Sequence, residues 1–576
     1  MTFPPLLGAA TGLHVVDYGI VFFYMLLMIY IGWRCSRVQE STEDFFVGGR
    51  SMPWWATGLS LVATMMSTLT YLGVPGEIFG QGIGMLLQFI SLPFAFLIIG
   101  WVWVPFFMKL RLTSAYEYLE LRFGGTIRFW AVILFLYMRF VWLGLIIYSA
   151  GTAVAEMTAD TAPAAFATLT GGLVQFHTTE SWRLFVLVAT GVTATIYTTL
   201  GGIKAVIWTD VIQFVVLFLG AVITLLVVML KTGTGPSAWL HEATTMSHQL
   251  PPLFSFDPRT RTTIVVVVLN GLLWHVCTHA SDQVALQRYF CTDSARSARR
   301  TAAVNFACDA TMSILLSLVG LALLAYYQRN TSELPSEMAD AMLAMLEHPE
   351  NIAGKNTFAD KVFPWFIAHG LPMGICGLVV AGVFAVAQSS IDSGINSTCT
   401  VVMVDLIREH RQTAWDEQRE LRWAQILTLL IGAGVTLIAV AAAEFGRLSS
   451  IMELQLQSFN AVLGPLGAVF MLGFLAPRVN QASVLVGALA GAVVGLGLGF
   501  WQPLDALLTR GLGAGDSVLG LPVSPFWIIP FSWLTTLVTA LGASLFLGSP
   551  AAHQIQGLTF WSVRRGEERI PAVRGA

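Results

Sequence analysis

SLVATMMSTLTYLGVPGE, residues 60 to 77, lies inside an apolar run, yet it carries small and hydroxyl residues where a plain membrane span would carry Leu. Gly73 and Pro75 place a helix break close to its carboxyl end. A helix interrupted at mid-membrane frees backbone carbonyls, and such carbonyls coordinate Na+ in transporters of inverted-repeat design. The plainer alternative is an ordinary Gly/Pro kink.

The rest of the chain supplies the setting. Its 576 residues are 55% hydrophobic and 11% charged, with a mean hydropathy of +0.70, which is the make-up of an all-α polytopic membrane protein rather than a soluble enzyme. Apolar segments of about 20 residues recur, giving about thirteen expected spans at 15–33, 54–75, 82–108, 127–157, 183–200, 203–230, 262–288, 301–327, 362–405, 423–445, 451–476, 483–502 and 524–548. The run 362–405 is too long for one straight span and includes an outer lead-in.

The first fourteen residues hold no Lys or Arg, so they do not read as a cleaved signal peptide and the amino terminus is expected outside. Alternate connections hold most of the cations: Arg34, Arg37 and Arg50; Lys109, Arg111, Arg122 and Arg128; Arg288, Arg296, Arg299 and Arg300; Arg408, Arg411, Arg419 and Arg422; then Arg564, Arg565, Arg569 and Arg574. Those faces are cytoplasmic by the positive-inside rule, and an odd span count puts the carboxyl tail on the cytoplasmic side of the cell (plasma) membrane. Six Cys have neither metal nor disulfide spacing. No phosphate loop of the GxxxxGK[ST] type occurs, so active transport would draw on an ion gradient. The outer stretch 328–361, with SEMADAMLAMLEH inside it, fits a surface amphipathic helix.

VAQSSIDSGINSTCT, residues 386 to 400, compresses Gln388, Ser389, Ser390, Asp392, Ser393, Asn396 and Ser397 into one apolar segment. Read as a helix, Ser389 and Ser390 approach the Val386 carbonyl, an oxygen cluster suited to a hard monovalent cation; helix-helix glue is the competing reading. In GGIKAVIWTDVIQ, residues 201 to 213, Gly201 and Gly202 make a tight turn between spans and Asp210 lies about two turns inside the next helix, as a cation ligand, a proton carrier or half of a structural salt bridge. Arg139 in LYMRFVWLG needs an anion, either an internal carboxylate such as Asp309 or a solute carboxylate. His275 and His279 share a helix face at i, i+4 as a paired polar core or a metal site that lacks further ligands.

In order along the chain, LTSAYEYLELRF (112–123), GGIKAVIWTDVIQ, SDQVALQRYF (281–290), the Ser389 segment and LGPLGAVFMLGFLAPRVN (463–480) resemble the ordered motifs of the sodium/solute symporter family. That group includes the sodium/glucose, proline, iodide, monocarboxylate and multivitamin cotransporters. The resemblance implies a leucine-transporter-type core of five plus five inverted-repeat helices, with broken first helices at 54–75 and 262–288. It divides the chain into an accessory helix and inner loop (1–53), a first repeat (54–230), a second repeat (262–476), accessory helices (483–548) and a cytoplasmic tail (549–576). It implies one or two Na+ ions: one held by the carbonyls of Ala63, Met66 and Val386 with the hydroxyls of Ser389 and Ser390, a second near Asp210, Asp392 and Ser393. Gln88 and Gln457 match sugar-contacting positions of the glucose branch, whereas Met65 and Asp309 replace its sugar-binding Asn and Lys. With Arg139, His275 and His279 they form the expected solute site. The implied function is Na+-coupled symport of a small organic solute by alternating access, with a carboxylate ranked above a sugar and proton coupling through Asp210 and Asp392 as a further alternative. No catalytic residue, nucleic-acid surface or obligatory protein partner is implied; the expected contacts are solute and membrane lipid.

Overall fold

The computed structural model describes residues 12–36, 42–244, 254–260, 262–347, 355–409, 415–445, 456–501, 504–505, 508–509 and 523–567. Of the cations counted above, Arg37, Arg411, Arg569 and Arg574 lie outside the described residues. Helices dominate: α1 (Val15–Ser36), α2 (Trp54–Met65), α3 (Thr68–Gln81), α4 (Ile83–Leu110), α5 (Gly125–Thr158), α6 (Thr179–Thr232), α7 (Ile264–Ser281), α8 (Gln283–Phe290), α9 (Ala295–Arg329), α10 (Ile375–Val401), α11 (Glu417–Phe445), α12 (Asn460–Leu475), α13 (Gln481–Gly499) and α14 (Ile528–Ser544). Among the described residues, eleven are long and apolar enough to cross a bilayer, or twelve when α2 and α3 count as one bent span.

The thirteenth expected span, 183–200, is the first arm of α6. At 54 residues α6 is far longer than a bilayer requires, and it leaves helical geometry at Gly202 (φ 53°, ψ −168°), where a side chain would be strained. The two arms meet there, and Lys204 just beyond pairs with Asp44 at 2.5 Å. The long run 362–405 likewise divides: a helix Lys355–Gly370 precedes α10, and Gly374 (φ 83°) turns the chain between them. Ser336–Glu347 forms an amphipathic helix and buries Met338, Met342 and Met345.

Burial sorts the spans. In its apolar window α10 is 83% buried and α12 89%, against 22% for α1, so the polar side chains of α10 face protein and never lipid. α6 packs on α1, α2, α10 and α11; α9 packs on α2 and α3; and α12, α13 and α14 pack on one another. Two helices are interrupted. α2 and α3 diverge by 60° across Met66 and Ser67. α7 and α8 are separated by Asp282, whose extended backbone (ψ 119°) ends one helix while its side chain caps the next by accepting from the Val284 amide at 3.0 Å. Gly73 and Pro75 mark neither interruption. Both sit inside α3, a correction to the sequence reading. Gly320 of α9 is instead pressed so closely onto the Pro75 backbone that a Cβ there would come within 2.6 Å of its carbonyl, so Pro75 and Gly320 serve close helix packing.

Candidate ion and solute sites

The α2 break produces the first cluster. Ending α2 at Met66 strips its last turn of intrahelical donors, and hydroxyls from α10 take their place. Ser389 Oγ donates to the Ala63 carbonyl at 2.9 Å and to the Val386 carbonyl at 3.1 Å; Ser390 Oγ donates to the Thr64 carbonyl at 3.0 Å. Ala63, Val386, Ser389 and Ser390 therefore meet as expected, with Met66 at the end of the same turn, and all five are buried. The donor set is neutral oxygen throughout, the chemistry of a hard monovalent cation.

Asp210 anchors the second cluster, which shares Thr64 of α2 with the first. Its Oδ2 accepts from Ser60 Oγ at 2.5 Å and Thr64 Oγ1 at 3.3 Å, and Arg288 Nη2 lies 3.4 Å away. Thr64 Oγ1 and Ser393 Oγ are 2.9 Å apart, and Arg288 Nη2 also donates to Thr64 at 3.0 Å and to Ser393. Asp392 joins through Ser393, whose backbone N–H donates to Asp392 Oδ1 at 2.6 Å. Asp210 and Ser393 are thus brought together around a guanidinium, with Asp392 adjoining through its neighbour Ser393. Arg288, assigned above to an inner loop, is fully buried on α8. The positive-inside count missed this because Arg288 is followed closely by three cations, Arg296, Arg299 and Arg300, at the start of α9. Only the structure reveals it: every residue of QVALQRYF is buried, which leaves no solvated face for the Arg.

A third region opens beside the α2 break. It is a cavity lined by Met65, Met66 and Thr70, by Gln88 and Phe89 of α4, by Asn270, Trp274, His275 and His279 of α7, and by Asn305, Asp309 and Ser313 of α9. Gln88, His275 and His279 are therefore assembled as expected, whereas Arg139 and Gln457 lie outside this lining. Gln457 is half-buried, with its carbonyl against Gly499. Arg139 is not paired with Asp309, which corrects the sequence reading: its Nη2 binds Asp282 at the α7–α8 interruption, and its Nε is buried without a partner. A helix break needs a counter-charge for its loose end, and Asp282 supplies both that and the α8 cap. Asp309 faces His275, Oδ2 to Nε2, at 3.8 Å. His279 Nδ1 is 2.7 Å from Tyr289 OH. Among the described residues no group of His, Cys, Asp and Glu is arranged to hold a metal.

The family model described as "Sodium:solute symporter family" matches residues 45–495. The chain belongs to the sodium:solute symporter family. Na+ is therefore its coupling ion. A sodium/sialic acid symporter of Proteus mirabilis is 29% identical over 513 residues, spanning 88% of this chain and 93% of that one. The human sodium-coupled monocarboxylate transporter 1 is 29% identical over 498 residues, 85% of this chain and 74% of its own. A solved structure of a Na+-coupled sialic acid symporter in its substrate-bound outward-open state superposes with a TM-score of 0.74 at 26% identity, covering 93% of this chain and 99% of that one. The symporter fold is thus the expected leucine-transporter type, in which α2–α3 and α7–α8 are the interrupted helices.

Proposed function

We propose that this symporter imports a small organic solute bearing a carboxylate, across a cell membrane with its amino terminus outside. One Na+ would sit at the α2 break among Ala63, Met66, Val386, Ser389 and Ser390. The observation that carries the coupling is the Ser389 hydroxyl bridging the Ala63 and Val386 carbonyls, a preformed oxygen shell next to the cavity. A second cation position lies at Asp210, Asp392 and Ser393.

The carboxylate reading is supported by the acids that the named relatives carry and by the start of α3. That helix begins between Met66 and Thr70, which line the cavity, and the hydroxyls of Ser67 and Thr68 at its start are buried without partners. Gln88 would donate from α4. Arg139 would reach a carboxylate through its free Nε or by exchanging Asp282, and His275, His279 and Gln457 complete the proposed solute contacts.

Proteoliposomes test the reading: an inward Na+ gradient should drive uptake of sialic acid or a short monocarboxylate, and a proton gradient without Na+ should not. Na+-driven uptake of glucose with every acid inert would overturn the carboxylate assignment. Equal uptake on a pH gradient alone would overturn the coupling.

A further inference from the structure

The wall of the cavity that α7 and α9 contribute has chemistry that a plain acid does not use. Asp309 is a carboxylate within a membrane span, its side chain 20% exposed, and it lines the cavity. Its only ion-pair contact among the described residues is His275 at 3.8 Å, too long for a hydrogen bond; Ser313 Oγ, one turn along α9, donates weakly at 3.4 Å. No Lys or Arg occurs among the described lining residues. The oxygens Asn270 Oδ1 and Asn305 Oδ1 are buried and unpartnered. Trp274 and Phe89 contribute aromatic surface to the same cavity. The wall thus offers acceptors, one formal negative charge and aromatic surface. A carboxylate so placed is costly unless a cation meets it.

We infer that this wall is a subsite for a protonated amine. An ammonium group brings three N–H donors and one positive charge, which matches the Asp309 carboxylate and the Asn270 and Asn305 oxygens, and aromatic rings favour the same charge. Combined with the carboxylate reading proposed above, on which the acid end rests, the solute is an amino acid in the broad sense: acid toward the amino end of α3, ammonium toward Asp309. A hydroxylated acid would satisfy the hydrogen bonds but leave the charge of Asp309 unmatched, and an unsubstituted acid would add a second negative charge to the cavity.

The test uses the purified full-length protein in NaCl and reads thermal stabilisation by matched compounds. The probes are 2-, 3- and 4-aminobutanoate, the three corresponding hydroxybutanoates, butanoate and butylamine. At least one aminobutanoate should stabilise at a concentration about tenfold or more below its hydroxy counterpart and below butanoate, because a site built around a charge rejects the analogue lacking it. Asp309→Asn should narrow that ratio to within about threefold. Hydroxy acids or butanoate binding as tightly as the amino acids would overturn the proposal, as would discrimination that survives Asp309→Asn, or silence from every amine. Stabilisation by butylamine with all acids silent would support the amine subsite while overturning the carboxylate reading, so the two failures are separable.

Discussion

Two clusters meet at the last turn of α2, and their chemistry answers a cation in different ways. Around Ser389 and Ser390 every ligand is a neutral oxygen, and the hydroxyl protons are spent on the Ala63, Val386 and Thr64 carbonyls. Around Asp210 there is a buried formal charge, and a guanidinium already sits among its oxygens. The neutral shell can be emptied at modest cost, because its hydrogen bonds close on themselves. The charged cluster must always contain a cation, since an unpaired carboxylate in a membrane core is expensive. The first has the character of an exchangeable site; in the second, the proposed Na+ would have to coexist with or displace a cation that belongs to the protein.

The largest expected effect breaks the charged cluster. Arg288→Gln leaves Asp210 buried with only hydroxyl donors from Ser60 and Thr64, and loss of one partner of a buried pair costs about 3–5 kcal/mol. The variant should melt well below the parent in detergent, or fail to yield monodisperse protein. Asp210→Asn combined with Arg288→Gln should recover most of that loss. An Arg288→Gln protein as stable as the parent would show that the guanidinium is dispensable and would erase the distinction between the clusters.

The neutral shell should respond in function before stability. Ser389→Ala removes a donor shared by two carbonyls, and Ser390→Ala one that serves a single carbonyl, each worth about 0.5–1.5 kcal/mol in folding. The Na+ concentration for half-maximal uptake should rise about tenfold or more, with Ser389→Ala the stronger, because each lost oxygen must be replaced by water in the ion's shell. Unchanged Na+ activation in both variants would remove this cluster from the coupling mechanism.

How much of this could be read from the chain follows the same division. Ser389, Ser390 and Val386 were legible because i, i+3 and i+4 positions on one helix fix their proximity, and hydroxyls in an apolar run demand a partner. The partner turn of α2 entered through resemblance, and the break itself was misplaced toward Gly73 and Pro75. Those residues advertise a kink by composition, whereas Met66 and Ser67 break the helix because α10 hydroxyls and the cavity replace the missing intrahelical bonds. The partners of Asp210 and Arg139 were not legible. Arg288 lies 78 residues from Asp210 and Asp282 lies 143 from Arg139, and each pairing depends on where the α7–α8 interruption brings the chain. The cavity contained the pair of His as expected, but its anionic wall emerged only when α7 and α9 were seen side by side.

The smallest expected effect concerns Thr64, the one residue that serves both clusters. Its carbonyl accepts from Ser390 at 3.0 Å, and its hydroxyl stands between Asp210, Ser393 and Arg288 at 3.3, 2.9 and 3.0 Å. Thr64→Val keeps the carbonyl and the shape but deletes the hydroxyl. Arg288 keeps Ser60, Ser393 and the Val284 carbonyl, and Asp210 keeps Ser60, so the net loss should be about 1 kcal/mol. If the two clusters act independently, the change stays on the charged side: melting falls slightly, and the Na+ requirement set by Ser389 and Ser390 moves by less than about threefold. If the clusters are coupled through this turn of α2, the Na+ requirement of Thr64→Val should rise almost as far as that of Ser390→Ala, and the double variant should fall short of the sum. Sodium activation curves for the two single variants and the pair distinguish these outcomes, because additivity is expected only when the hydroxyl of Thr64 has no part in holding its own carbonyl toward the ion.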